Sequence, residues 1–322
     1  MILDKPQLGI ISIYLFLFSR MNFNTKVWHW IILLILALIW GSSFILMKRG
    51  LEAFDDTQVA ALRIFIAFLC LLPFALGQLK LMIGKKWLAL LASGLFGNFI
   101  PAFLYTKAET ELPSSIVGML SSLTPLFTLL IGLFIFKLKI KWFNIIGVII
   151  GFAGAFGLIL TQGNSSFSGN IYFALYVVLA TIMYAISVNV TKTHLQEINS
   201  VHITSISMMF VGPIAGFYLF TTDFTEKLTQ HPMGISSLGY ISILAILGTA
   251  ISVIIFNLLI KMTSAVFASM VTYVIPVFAL SWGILDGEKI STQHFLWIVI
   301  VFVGIFLVNK KKSYSDKNQA AR

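Results

Sequence analysis

Residues 113–136 read PSSIVGMLSSLTPLFTLLIGLFIF, a run without one charged side chain. A helix of about 20 apolar residues spans a hydrocarbon core ~30 Å thick. The run is too long for a barrel strand and lacks the period-two alternation of one. Pro125 sits near its middle, where the missing N–H breaks an intrahelical bond. A second run, SAVFASMVTYVIPVFALSWGIL at 264–285, repeats the pattern, with Pro276 placed 151 residues after Pro125.

Outward from these two, eight more apolar runs appear, at 28–47, 58–76, 87–106, 142–161, 170–191, 201–221, 236–260 and 293–309. With 113–136 and 264–285 they make ten transmembrane helices joined by short links, an all-α membrane protein. Composition agrees. Of 322 residues, 58% are hydrophobic and 11% charged, against about 25% charged in soluble domains. Soluble enzymes, disulfide-stapled secreted domains and disordered chains are excluded. The single cysteine, Cys70, allows no intrachain disulfide.

The net charge of +10 is a topology signal rather than a nucleic-acid footprint. If the N-terminus is cytoplasmic, ten spans return the C-terminus there. Sixteen of the 22 Lys and Arg then lie inside, five outside (Lys48, Arg49, Lys107, Lys227 and Lys289), and Arg63 lies within the second span. That asymmetry sets the orientation. The expected segments are a cytoplasmic lead at 1–27, five-helix units at 28–161 and 169–309, and a basic cytoplasmic tail at 310–322. Residues 8–18 are apolar but too short to span; the favoured reading is an upstream extension ahead of a start at Met21.

The two units resemble each other. At an offset of 151, Gly97-Asn98 matches Gly248-Thr249, Pro125 matches Pro276 and Gly132 matches Gly283; at 144, Trp40 matches Tyr184, Ser43 matches Ser187 and Lys48 matches Lys192. Five spans is an odd number, so the second unit enters the membrane inverted. Inverted repeats are the architecture of alternating-access transporters, with the solute near the midplane.

These residues carry a family likeness. Ile39-Trp40-Gly41-Ser42-Ser43-Phe44 with Lys48, Ala61-Leu62-Arg63-Ile64 with Pro73, Leu123-Thr124-Pro125-Leu126-Phe127, Val274-Ile275-Pro276-Val277-Phe278 and Gly287-Glu288 together resemble the drug/metabolite transporter superfamily, in its EamA-type ten-helix branch. One departure is Phe136-Lys137, standing where the first unit should carry Gly-Glu. The resemblance implies a multi-pass inner-membrane carrier, most often an exporter of amino acids, related metabolites or toxic compounds. It also implies a cavity lined by helices one, three, four, six, eight and nine.

Polar groups in hydrocarbon are costly unless they pair or face water. On the implied cavity helices the candidate substrate-binding residues are Trp40, Ser43, Asn98, Tyr105, Ser122, Tyr184, Asn189, Thr249, Asn257 and Tyr273, with Ser42, Ser121, Thr124 and Thr272 also weighed. Aromatic faces, hydroxyls and amides suit a neutral or zwitterionic organic solute. For any single Ser or Thr, interhelical hydrogen bonding is the competing role. Pro125 and Pro276 are gating hinges or structural kinks. Arg63 binds a solute carboxylate, gates the outer mouth, or fixes the second helix by pairing with Asp55, Asp56, Glu109 or Glu111. The last is favoured, because a long side chain there can snorkel.

No Asp or Glu lies in the middle third of any span, so the expectation is transport down the solute's own gradient or by exchange. No metal cluster, phosphate loop or nucleophile elbow is present in the sequence, so no catalysis and no cofactor are expected. The partners are a small solute and the lipid bilayer, and a monomer suffices. The favoured reading is an exporter. The alternatives are an importer of a sugar or nucleoside-type metabolite, and a non-transporting scaffold or lipid-handling protein.

Overall fold

The computed structural model describes residues 26–138, 141–161, 171–285 and 293–308. The leader before Lys26, Gly287-Glu288 and the basic tail lie outside the described residues. Among those described, the chain forms helices and no strand. The long helices are α1 (Lys26–Gly50), α2 (Asp56–Leu76), α3 (Trp87–Glu109), α4 (Ser114–Phe134) and α5 (Trp142–Thr161). They continue as α6 (Ile171–His194), α7 (Ser200–Phe220), α8 (Gly234–Met262), α9 (Ala265–Ser269 continued by Val271–Leu285) and α10 (Gln293–Val308). Eight are long and apolar enough to cross a bilayer. The other two, α5 and α10, are apolar helices packed on each other.

Local chemistry sets the helix starts. Gln58 Oε1 accepts the Asp55 backbone N–H at 3.1 Å, opening α2. Asn199 Oδ1 accepts from Val201 at 2.9 Å to open α7, and Ser264 Oγ accepts from Phe267 at 3.1 Å to open α9. Each satisfies a donor that the first turn leaves free. Pro73 and Pro213 sit inside the mutually packed α2 and α7.

Two helices widen in the same way. Residues Leu95–Phe99 of α3 and Leu244–Ile251 of α8 are π-helical, and each contains one of the matched pairs Gly97-Asn98 and Gly248-Thr249. A wide turn re-aims carbonyls and side chains toward neighbours. The two proline helices differ in detail. Pro125 follows a 3-10 turn at Ser121–Leu123 and occupies the first turn of Thr124–Phe134, where its missing N–H is unneeded. Pro276 lies inside the helix Val271–Leu285.

Packing pairs helices across the halves: α2 with α7, α5 with α10, α1 with α9 and α8, and α6 with α4 and α3. Glycines permit the closest approaches. A Cβ on Gly304 of α10 would run into the backbone of Gly151, 2.7 Å from the carbonyl of Gly147. Gly147, Gly151, Gly154 and Gly157 form a small-residue stripe along α5 that is buried, as van der Waals packing in lipid favours. Large apolar side chains such as Phe217 and Phe134 point outward, where a bilayer would meet them.

Candidate functional site

A central cavity of about 90 Å³ lies between the halves. Helices α1, α3, α4, α6, α8 and α9, the set implied by the family resemblance, all contribute to its wall, and α2 adds Arg63 and Ile64. Of the residues singled out from sequence, Trp40, Ser43, Asn98, Tyr105, Tyr184, Thr249 and Asn257 line it. Ser121, Thr124 and Thr272 line it too.

Two aromatic pairs form much of the wall. Trp40 meets Phe256 edge-on with centroids 5.0 Å apart, and Tyr105 meets Tyr184 at 5.8 Å. Trp40 Nε1 also donates to the Gly248 carbonyl at 2.9 Å, bonding α1 to the π-helical turn of α8. Glycine lets Ser43 approach that turn closely, since a Cβ on Gly248 would sit 2.9 Å from Ser43 Oγ. Asn257 Nδ2 donates to Thr204 Oγ1 at 3.0 Å, and Asn98 Nδ2 reaches the Ser93 carbonyl at 3.4 Å.

Arg63 is the one charged side chain among the cavity's lining residues. The residue is 9% exposed. Its Nε donates to Thr249 Oγ1 at 2.8 Å and its Nη1 contacts Met47 Sδ at 3.8 Å. The ion pair favoured from sequence is absent. Asp55 pairs with Lys227 at 2.6 Å and Asp56 with Lys107 at 3.7 Å. Both carboxyl oxygens of Glu109 are without a hydrogen-bond partner. A guanidinium carries five N–H donors in a fork that fits a carboxylate. With Nε fixed by Thr249, the rest of that fork borders the cavity.

Three sequence candidates stand elsewhere. Ser122 donates to the Met119 carbonyl within its own helix. Asn189 donates to the carbonyls of Thr128 at 3.0 Å and Ala185 at 2.9 Å, tying α6 to α4. Tyr273 is fully buried; its hydroxyl donates to the Val148 carbonyl at 3.0 Å and its ring covers Gly151. None of the three is on the cavity wall, and neither is Pro125 nor Pro276. Ser42 faces another groove, where its Oγ accepts from Trp282 Nε1 at 2.8 Å. Conversely, Ser93, Ser187 and Phe256 line the cavity without having been chosen. Ser187 was already visible as the repeat mate of Ser43. Phe256 likewise stands at the repeat position of Tyr105, whereas Ser93 had no such signal against an apolar background.

A cavity of about 90 Å³ is well below the 300–1,000 Å³ of ordinary ligand sites. It admits a fragment of a metabolite, so a whole solute requires the aromatic wall to part. Both ends of the bundle are tied. At the face where α1 begins, Lys192 Nζ donates to the carbonyls of Ile260 at 3.0 Å and Lys261 at 3.4 Å. Lys261 Nζ in turn donates to the Ile198 carbonyl at 2.8 Å. At the other face, Ser237 Oγ donates to the Arg49 carbonyl at 2.7 Å.

The EamA-like transporter family matches the chain twice, over residues 27–160 and 171–310. The chain is 29% identical over 293 residues to the uncharacterized inner membrane transporter YedA of Escherichia coli K12, covering 86% of this chain and 89% of the relative. An uncharacterized transporter of Archaeoglobus fulgidus is 26% identical, with 88% and 99% covered. The S-adenosylmethionine uptake transporter of Rickettsia prowazekii is also 26% identical, with 82% and 86% covered. One solved crystal structure superposes with a TM-score of 0.67 at 15% identity, covering 88% of this chain and 97% of its own. That likeness concerns the fold.

Proposed function

Because the chain belongs to the EamA-like transporter family, we propose that it is a secondary carrier exporting small carboxylate-bearing organic solutes, amino acids and related metabolites, by alternating access. The two five-helix units act as inverted repeats around the cavity. The sixteen-to-five split of basic residues supports cytoplasmic termini. The protein has no catalytic role in this reading.

One observation carries the solute class. Arg63 presents a buried guanidinium to the cavity, held by Thr249 and paired with no carboxylate among the described residues. An uncompensated buried charge is costly, and a solute carboxylate compensates it. The aromatic wall of Trp40, Phe256, Tyr105 and Tyr184 receives the apolar part of the same solute.

The test is counterflow in proteoliposomes loaded with amino acids or with their decarboxylated amines. Wild-type protein is expected to exchange the acids and not the amines. Arg63→Gln should weaken exchange of the acids by about 10–100-fold, the loss of one charge-assisted hydrogen-bonded contact. Exchange of acids that is indifferent to Arg63→Gln removes this reading of the site. Import is the second reading, favoured by the Rickettsia relative named as an uptake transporter. Right-side-out vesicles with imposed solute gradients separate the two.

A further inference from the structure

We propose that Glu109 is a proton-binding site coupled to the solute carboxylate at Arg63, so that solute and proton move together. This rests on the transport reading above in either direction: a cotransported proton draws solute inward under an inward proton gradient, and export then runs on the solute's own outward gradient. Glu109 ends α3 one turn beyond Tyr105, which lines the cavity. Its two carboxyl oxygens are buried and accept no hydrogen bond. The cations whose fields act on it are Arg63 of α2, the larger, and Lys48 of α1, with the Tyr105 hydroxyl on its own helix. From α6, Tyr184 faces Tyr105, and α4 carries no titratable side chain. Further charges nearby form their own pairs, Lys107 with Asp56 at 3.7 Å and Asp55 with Lys227 at 2.6 Å.

A carboxylate removed from water without a donor carries a large solvation cost. Two things relieve it: a proton, or the field of a nearby cation. Arg63 supplies the field without touching Glu109. When a solute carboxylate docks on Arg63, the larger of the two cation fields is cancelled and protonation becomes the more favourable relief. Protonation of Glu109, in turn, leaves the Arg63 field for the solute. The coupling is reciprocal by thermodynamic necessity. A proton binds one carboxyl oxygen and later leaves it, so charge balances with one negative charge docked on Arg63.

The scaffold itself does not need these charges. At the 151 offset the mate of Glu109 is Ile260, and α7, which packs on α2, contains no Lys, Arg, Asp or Glu. At that second position Lys192, the mate of Lys48, donates to the carbonyls of Ile260, Lys261 and Thr263. One half therefore closes with a lysine on backbone carbonyls alone. The other half adds a carboxyl group. Glu109 was passed over in sequence because it lies at a span end, and the fold buries its carboxyl there.

The test uses the full chain in lipid nanodiscs, titrated by infrared difference spectroscopy between about pH 5 and pH 9 with and without benzoate as the carboxylate probe. Wild type should show a carboxylic-acid band whose midpoint rises with benzoate. Glu109→Gln should lack the band, and Arg63→Gln should lack the benzoate response. In proteoliposomes, Glu109→Gln should remove the pH dependence that wild type shows in L-methionine uptake. It should lose accumulation driven by a proton gradient, which at one proton per solute approaches about tenfold per pH unit. A midpoint unmoved by benzoate, or gradient-driven accumulation that survives Glu109→Gln, overturns the proposal and leaves transport standing. A benzoate-shifted band without counterflow in any variant keeps the proton site and removes the transport reading.

Discussion

Trp40 rests edge-on against Phe256 with ring centroids 5.0 Å apart. The contact recurs on the other side of the cavity, where Tyr184 meets Tyr105 at 5.8 Å. Tyr184 follows Trp40 by 144 residues and Phe256 follows Tyr105 by 151, the two offsets of the internal repeat. The small residues obey the same rule. Gly248 abuts Ser43, and Gly97 abuts Ser187. The first helix of each half thus lodges against the third helix of the other, through matched residues. Two equivalent contacts on opposite sides of one cavity give a carrier two places to part, one at a time.

Trp40 separates the aromatic contact from the bond that accompanies it. Trp40→Phe keeps the ring near Phe256 and removes the donor to the Gly248 carbonyl. Interhelical hydrogen bonds in lipid contribute about 0.6 kcal/mol, with a maximum near 1.7. Thermal unfolding in detergent should therefore show only a small loss, with counterflow retained. Trp40→Ala should abolish counterflow, since it also removes the wall.

Close packing of α1 on α9 makes Gly41 intolerant. A Cβ there would lie 2.6 Å from Phe278 Cβ and 3.1 Å from the Ile275 carbonyl, atoms that cannot rotate away. Gly41→Ala should destabilise by about 1–3 kcal/mol, the usual effect of overpacking. At Gly248 the opposing atom is the Ser43 hydroxyl, which can turn. Gly248→Ala should lower the melting temperature less than Gly41→Ala, and the reverse order would contradict this packing.

Tyr273 was a cavity candidate and is a packing residue instead. Its hydroxyl bonds the Val148 carbonyl at 3.0 Å, joining α9 to α5. Tyr273→Phe should reduce stability by about 0.6–1.7 kcal/mol and leave solute selectivity unchanged in counterflow. A changed selectivity would place it at the solute.

The ionic cluster at the start of α2 lies outside the spans and titrates in a definite direction. Lys227 contacts Asp55 at 2.6 Å and Asp223 at 3.3 Å, and Gln58 Nε2 donates to Asp223 at 2.6 Å. Partial burial pushes the Asp223 carboxyl up, but bonds from Gln58 and Lys227 outweigh it and hold it below the usual range. Partial burial likewise pushes Lys227 down, and Asp55 and Asp223 outweigh that to hold it above its usual range. Asp223 therefore contributes above its unfolded value of about 3.9, and the contribution is lost as pH falls through the folded value. Lys227 contributes below about 10.4 and loses that as pH rises through its folded value. Amide protection in the short helix Phe224–Gln230, taken relative to the intrinsic exchange rate at each pH, should fall in acid in wild type. That loss of protection should shrink in Lys227→Met, and salt should weaken the difference.

Much of this was legible without coordinates. The ten apolar runs agree with the helices to within a few residues, as at 142–161, because the need to satisfy every backbone group in lipid leaves helices as the choice. Gly97-Asn98 and Gly248-Thr249 were matched as a repeat, and the structure puts both pairs in π-helical turns. Seven of the ten residues weighed as binding candidates line the central cavity.

Which face each polar residue takes was decided by the tertiary structure. Asn189 and Asn257 look alike in sequence, both amides in apolar helices. One is spent on the carbonyls of Thr128 and Ala185, and the other stands in the cavity wall. Arg63 was expected to snorkel toward a carboxylate, yet it turns inward to Thr249, 186 residues away. The physical reason is that apolar patterning reports transfer into lipid, which a residue's own composition governs. Partners for a buried polar group come from helices far away in sequence, and only their packing brings those helices to the same place.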